Sequence, residues 1–237
     1  MKIRINQKAS RAFGLAVLVS LASIAAFAAG NPNPGVLPIN SSPGGKSYGK
    51  WTVAWWQWAV SAPAGVNPWF DDTTGQYAAT GQNGPVWFMA STLGDSRDRT
   101  NTIPAGKMLF LPVFPWIFGA TVGDCSPSNP GTACDVPTLR EAAANAATSA
   151  TTLEVKIDGT PLQELSKYRA QSPDSFTVTL PAGNVVGLPA GTYGPHVSDG
   201  YWLMLTPLSP GYHTIVVHVI SSFGEFTLTY RITITGS

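Results

Sequence analysis

Residues 225–235 alternate without a break. Phe226, Leu228, Tyr230, Ile232 and Ile234 share one parity, and Glu225, Thr227, Thr229, Arg231, Thr233 and Thr235 share the other. Successive side chains of a strand point to opposite faces, so an extended run with this pattern buries one face and wets the other. A helix would scatter the same five apolar residues around its circumference. A strand wet on one face fits an antiparallel sheet laid over a core, since parallel sheets are covered on both sides. Tyr212–Ile220 is a second apolar run, joined to the first across Ser221–Gly224.

Further short runs repeat the theme. Leu153–Ile157 alternates and stops at Asp158-Gly159, the signal of a type I′ hairpin. Phe176–Leu180 ends at Pro181-Ala182-Gly183, and Gly200–Leu205 is apolar on both faces. Upstream, Pro85–Thr92 and Lys107–Phe114 read as strands, with a charged turn over Asp95–Arg99 and Pro104-Ala105-Gly106 leading into the second. The 24 Gly and 20 Pro fall largely between such runs. The expected fold is mainly β: an antiparallel β-sandwich, immunoglobulin-like or jelly-roll-like, with two helices. The first helix covers Tyr48–Ala62, capped by Ser47 and stopped by Pro63; it carries Tyr48, Trp51, Trp55 and Trp58 on one face. That stripe faces the core or forms a platform for sugar rings; core is the commoner role. The second helix is short and Ala-rich, opened by a capping box at Thr138-Leu139-Arg140-Glu141 and running to about residue 150.

The first 28 residues have another character. Lys2, Arg4, Lys8 and Arg11 precede an apolar stretch from Phe13 to Phe27, and Ala26-Phe27-Ala28 fits the small-x-small cleavage rule. This is the pattern of a secretory signal peptide. The apolar stretch falls short of the roughly 20 residues a transmembrane helix needs. Residues 29–46 read as an extended leader with little to bury, and 47–237 as one β-rich domain, a subdivision near 136–150 remaining open. Four of the 14 basic residues lie in the signal, leaving ten against 13 acids, a formal −3. That balance gives no electrostatic case for nucleic acid. Export would place Cys125 and Cys134 in an oxidising compartment, where a disulfide is expected, contributing about 2–3 kcal/mol by closing a short loop. The alternative, a metal pair, has no nearby His and no CxxC spacing.

Trp55-Trp56-Gln57-Trp58, Gly84-Pro85-Val86-Trp87-Phe88, Ile103-Pro104-Ala105-Gly106-Lys107 and Asp199-Gly200-Tyr201-Trp202, leading into Leu208-Ser209-Pro210-Gly211, together resemble a family of uncharacterised secreted bacterial proteins. The resemblance implies a shared exported scaffold and names no activity. Leu208–Thr214 also resembles the turn before a late strand in secreted immunoglobulin-like and fibronectin-like sandwiches.

No segment carries a recognised catalytic motif. There is no HExxH, HxH, EF-hand loop, GxSxG or phosphate loop, and no metal or other cofactor is expected. Asp71 and Asp72 with neighbouring Thr hydroxyls could hold calcium, but acids in such turns more often cap backbone amides. His196 sits in a Gly-Pro loop, Lys107 opens an apolar run, and Asp199 precedes Gly200-Tyr201-Trp202. Trp56, Trp69, Trp87 and Trp202 lie off the helix stripe and are the aromatic candidates for ligand contact. The candidate ligand-binding set is thus Trp56, Trp87, Trp202, Asp72, Lys107, His196 and Asp199. Three functions are compatible with it. The first is an extracellular binding module, with a glycan as the candidate partner. The others are an extracellular polysaccharide hydrolase or lyase, and a structural or surface-interaction protein whose Trp residues simply fill the core.

Overall fold

A computed structural model describes residues 31–121 and 135–236. The signal expected at residues 1–28 and the disulfide expected between Cys125 and Cys134 lie outside the described residues. In chain order the elements are α1 (Tyr48–Ala59), β1 (Val86–Phe88), β2 (Arg97–Ile103), β3 (Met108–Gly119), α2 (Val136–Thr148), β4 (Ala150–Ile157), β5 (Thr160–Pro161), β6 (Phe176–Leu180), β7 (Gly191–Leu205), β8 (Gly211–Ser221) and β9 (Gly224–Ile234).

The strands form two sheets, ordered β1-β3-β7-β6 and β2-β9-β8-β4-β5, with one apolar core drawn from both. The alternation of β9 is realised as read: Phe226, Leu228, Tyr230, Ile232 and Ile234 are all buried, and Arg231 and Thr233 are exposed. β8 and β9 pair antiparallel over their whole length, from Gly211 opposite Ile234 to Ser221 opposite Gly224. Asp158 and Gly159 both take positive φ, at 49° and 79°, as a type I′ turn demands, and β4 folds back on β5 there.

Two pairings depart from a purely antiparallel sandwich. β1 joins β3 in parallel, and β2 joins β9 in parallel. β2 also occupies part of the segment read as a charged turn. Its residues alternate: Asp98, Thr100 and Thr102 point out, and Arg99, Asn101 and Ile103 point in. The inward Arg99 hid the strand pattern. Its charge is accommodated by backbone carbonyls: Nε donates to Asp72 O at 2.9 Å and Nη1 to Ala90 O at 2.6 Å. β3 runs on past Phe114 to Gly119, through Pro112 and Pro115. A proline cannot donate to a ladder and belongs at a sheet edge. β3 meets this condition, because β1 pairs only with Met108–Phe110 and β7 alone accompanies the rest.

α1 begins as read, with the Ser47 hydroxyl accepting from the Lys50 amide at 3.4 Å. Tyr48, Trp51, Trp55 and Trp58 all face the core. Trp55 is fully covered, and its indole N–H donates to Met89 O at 2.9 Å. The cap of α2 differs from the expected one. Asp135 is the N-cap, accepting from Thr138 N at 3.3 Å, so Thr138 lies inside the first turn and Pro137 takes the early position that tolerates a missing N–H. Leu139 and Ala143 pack with Ala120 and Val197 in a smaller second cluster. The leader also buries more than its composition suggested. Val36 is covered and bridges Leu205, and Tyr48 donates its hydroxyl proton to Leu37 O at 2.5 Å. Among the described residues no helix is long and apolar enough to cross a membrane.

Candidate functional site

The seven candidate residues do not converge, and most are consumed by the fold. Trp202 is fully buried and stacks on Phe110 with ring centroids 5.2 Å apart and planes 6° from parallel. Trp87 is buried on β1. Neither ring offers a face to a sugar. Asp72 is buried, and its carboxylate accepts from the amides of Thr74, Gly75 and Tyr77 at 3.1, 2.6 and 2.9 Å. Asp71 is likewise spent on the amides of Gly65 and Asn67, at 2.7 and 3.1 Å. Both are turn-capping acids rather than calcium ligands. Among the described residues no group of three or more His, Cys, Asp or Glu is arranged to hold a metal.

Asp199 is buried, and its carboxylate takes four hydrogen bonds. Arg169 supplies two, at 2.9 and 2.6 Å; Gln171 Nε2 and the Gly200 amide supply one each, both at 2.7 Å. Ion pairing with Asp199 raises the pKa of Arg169. A carboxylate so completely engaged is a structural anchor, not a general acid. His196 is buried, and burial pushes its pKa down to about 4. Its Nε2 accepts from the Thr121 amide at 3.2 Å and lies 2.9 Å from the Thr121 hydroxyl. Lys107 Nζ donates to Gly84 O, tying the turn before β1 to the start of β3.

One surface constellation imitates a catalytic triad. His213 Nδ1 lies 2.7 Å from Asp158 Oδ2, and His213 Nε2 lies 3.4 Å from Ser209 Oγ. The same Nε2 is 2.9 Å from the Ser209 carbonyl oxygen, which can only accept. The nitrogen that would serve as base thus lies closer to an oxygen that can only accept than to the hydroxyl. Asp158 raises the pKa of His213 against the downward push of partial burial. Nε2 is set against the Ser209 carbonyl rather than its hydroxyl, so the geometry is an Asp158–His213 contact capped by a backbone oxygen and not an activated nucleophile.

Trp56 and Trp69 lead elsewhere. Both line a pocket of about 440 Å³ at the uncovered edge of β3. That size suits one small organic ligand. Phe114, Trp116 and Phe118 of β3, Phe223 and Phe226 of the β8–β9 hairpin, and the Ser91–Gly94 segment line it as well. The rings contact one another: Trp116 to Phe223 at 4.5 Å, Phe114 to Trp116 at 5.4 Å, Trp56 to Trp69 at 5.3 Å. Leu93 and Phe223 stand at the rim, 52% and 63% exposed, which is unusual for side chains of their type. Two tethers hold the near side. Arg97 Nη1 donates to Trp69 O at 3.2 Å and Asp72 O at 3.0 Å, and its Nε donates to Asp95 at 2.7 Å. Partial burial pushes the Asp95 carboxyl up, but Arg97 and Thr92 outweigh this and hold it down at about 2. Trp56 is fixed by its own indole N–H, which donates to Ser198 Oγ at 3.0 Å.

Trp116, Phe223, Leu93 and Ser91 were not among the sequence candidates. Two signals bear on the first two of these. Pro112 and Pro115 inside an apolar run announce an edge strand, and Phe223 is an aromatic residue at a hairpin tip, where polar residues are usual. The fold and site together define a two-sheet β-sandwich with an aromatic pocket opening at the edge of one sheet. Comparison with protein-family models, with curated proteins and with solved structures finds no match for this chain.

Proposed function

We propose that this chain is an exported binding module that holds a small, largely apolar molecule in the pocket at the edge of β3. The pocket carries this reading: seven aromatic rings, five from the two sheets and two from α1 and the segment after it, line one concavity. Export rests on the basic, apolar and small-residue order of residues 1–28. Among the described lining residues there is no carboxylate, amide, imidazole or amine; Ser91, Thr92 and Ser221 supply hydroxyls. A sugar, with a hydroxyl on nearly every carbon, would leave most of them unpaired there. Hydrolysis or lyase chemistry would lack a titratable side chain at this site. Binding of an apolar body is thus favoured over both the glycan and the polysaccharide-cleaving alternatives.

Calorimetric titration with naphthalene derivatives and with cellohexaose tests this. Aromatic ligands should bind and cellohexaose should not. Phe223→Ala removes an exposed ring that packs on Trp116, and should weaken binding by roughly tenfold without unfolding the protein. Leu93→Trp should narrow the mouth and slow or block entry. Affinity unchanged in both variants would move the site elsewhere and refute the pocket.

A further inference from the structure

Phe114, Pro115, Trp116, Ile117 and Phe118 follow one another in the chain, and all line the pocket. Successive side chains of a strand point to opposite faces, so a cavity over one face of β3 would meet every second residue. A run of consecutive residues instead places the cavity along the strand's edge. Residues from both faces agree with this. Trp56 reaches the cavity from the side of Ser198, which lies opposite Ile117; Phe226 reaches it from the side of Phe114, with ring centroids 6.5 Å apart. The edge backbone therefore borders the pocket, and β7 shows which of its groups are already used. The Ser198 and Gly200 carbonyls accept from the Ser172 and Ala170 amides, both at 2.9 Å, and the Ser198 amide donates to Ser172 Oγ at 3.1 Å. The N–H and C=O of one strand residue point to the same side, and that side alternates along the chain. Asp199 and Tyr201 thus turn toward β3, where they meet Trp116 and Phe114. Pro115 and Ile117, opposite Gly200 and Ser198, turn theirs to the open side. Among the described residues no hydrogen bond meets the Ile117 N–H, the Ile117 carbonyl or the Pro115 carbonyl.

We infer that the occupant of this site is a short stretch of extended peptide with apolar side chains, which adds a strand to the open edge of β3. This rests on the pocket being the binding site and names the class of molecule it takes. In either strand direction the Ile117 N–H gives to a peptide carbonyl, and the Ile117 and Pro115 carbonyls take peptide N–H groups. A peptide backbone supplies both kinds of group. Natural edges are ordinarily guarded by charged side chains, and no residue lining this one is charged. Pro115 has no N–H to offer, which confines the pairing to the groups around Ile117 and suits a short segment rather than a long strand. Main-chain bonds then supply affinity, and the aromatic rings select the side chains. The peptide residue paired with Ile117 points its side chain to the Trp56 side; its two neighbours point theirs to the side of Trp116 and Phe223.

The probe is the blocked pentapeptide acetyl-Lys-Val-Phe-Val-Lys-amide, together with a series in which each backbone N–H in turn is replaced by an ester oxygen. Calorimetry on the full chain should find the parent peptide bound. Esters at alternate positions should weaken it roughly tenfold, and those in between should change little, because only every second N–H faces β3. Hydrogen exchange followed by ¹H–¹⁵N spectra gives a readout that needs no variant. The Ile117 amide should exchange nearly unprotected in the chain alone and slow at least tenfold with peptide. Ile117→Pro deletes that N–H from a position the β7 ladder does not use, and should abolish the alternation where circular dichroism shows the fold retained. A peptide that binds with no alternation, or with Ile117 exchange unchanged, overturns the edge pairing and leaves the pocket standing. Binding of naphthalene derivatives but not of the peptide overturns the peptide class alone. Binding of neither overturns the pocket as well. An Ile117 amide already protected in a chain that sediments as a dimer assigns the edge to a second copy and also overturns the inference.

Discussion

Acidification should unload one histidine's worth of stability from this fold, and His196 should be the residue responsible. Its side chain is covered, and burial lowers its pKa from 6.5 to about 4. The unfolded chain keeps an ordinary imidazole. As pH falls below 6.5 the unfolded state therefore takes up a proton that the folded state refuses, and stability declines. The loss proceeds at about 1.4 kcal/mol per pH unit, ends once pH drops through the folded pKa, and totals about 3 kcal/mol. Above pH 6.5 the full contribution is present. The geometry supplies the cause: Nε2 accepts from the Thr121 amide, and a proton there would face a donor inside the core. Urea denaturation of the wild type and of His196→Gln at pH 7, 6, 5 and 4.5 measures it. The variant is less stable at pH 7 because it packs less well, but its slope matters, not its level. Between pH 7 and 5 the wild type should lose about 2 kcal/mol more than the variant. His213 titrates with the opposite sign: its raised pKa gives stability present below 6.5 and lost as pH rises through the folded value. That contribution is common to both proteins and cancels in the comparison. Parallel curves for the two, or an imidazole resonance of His196 titrating near 6, would refute the reasoning.

Asp199→Asn should destabilise by about 2–3 kcal/mol, because it removes the charge that two Arg169 hydrogen bonds meet in a buried position. The thermal midpoint should fall, while affinity for an aromatic ligand in the folded protein stays unchanged. Ser209 should stay unlabelled by a fluorophosphonate reagent, since His213 Nε2 lies nearer the Ser209 carbonyl oxygen, at 2.9 Å, than its hydroxyl, at 3.4 Å. Mass spectrometry of the digested protein reads this, and a phosphonylated Ser209 would restore the triad.

The sequence was legible where one local rule acted alone. The alternation of residues 225–235, the Asp158-Gly159 turn, the Ser47 cap and the Trp stripe of α1 each follow from a period or a cap, and each is realised. Legibility failed where distant partners decide. The parallel pairing of β2 with β9 joins residues some 130 positions apart, and nothing in Arg97–Ile103 specifies its neighbour. Arg99 looked like turn because a buried guanidinium needs carbonyl acceptors, and those come from Asp72 and Ala90, on segments outside its strand. Asp135, three residues ahead of Thr138, caps the helix instead, with Pro137 just inside it at a position that tolerates a missing N–H. The aromatic candidates were chosen for lying off the helix stripe. That criterion separates one face of α1 from another but does not separate core from surface in a sandwich with this many aromatic rings, and two of the four, Trp56 and Trp69, reached the pocket.

Two arginines of β2 explain why such a pocket can stay open. Aromatic walls attract one another and tend to collapse, and a site held open binds without a cost of rearrangement. Arg97 and Arg99 stand two positions apart on the strand, half-buried and buried respectively. Arg97 ties Asp95, beside the Leu93-Gly94 rim, to the carbonyls of Trp69 and Asp72. Arg99 reaches Asp72 O and Ala90 O, and the Tyr230 hydroxyl donates to the same Ala90 oxygen at 2.7 Å. Burial pushes the Tyr230 hydroxyl pKa up to about 12, so it keeps its proton at neutral pH and remains a donor; burial lowers that of Arg99, and the neighbouring Tyr230 opposes the shift. Ser91, on the pocket wall, is the next residue in the chain after Ala90. Its position is therefore set by two donors anchored on a different sheet from β3, and Trp69 is set by a third. The polar groups of this core make few contacts with one another's side chains; they fix the backbone that carries the rings. A chain with few charges has placed two of them where they hold a greasy pocket in shape.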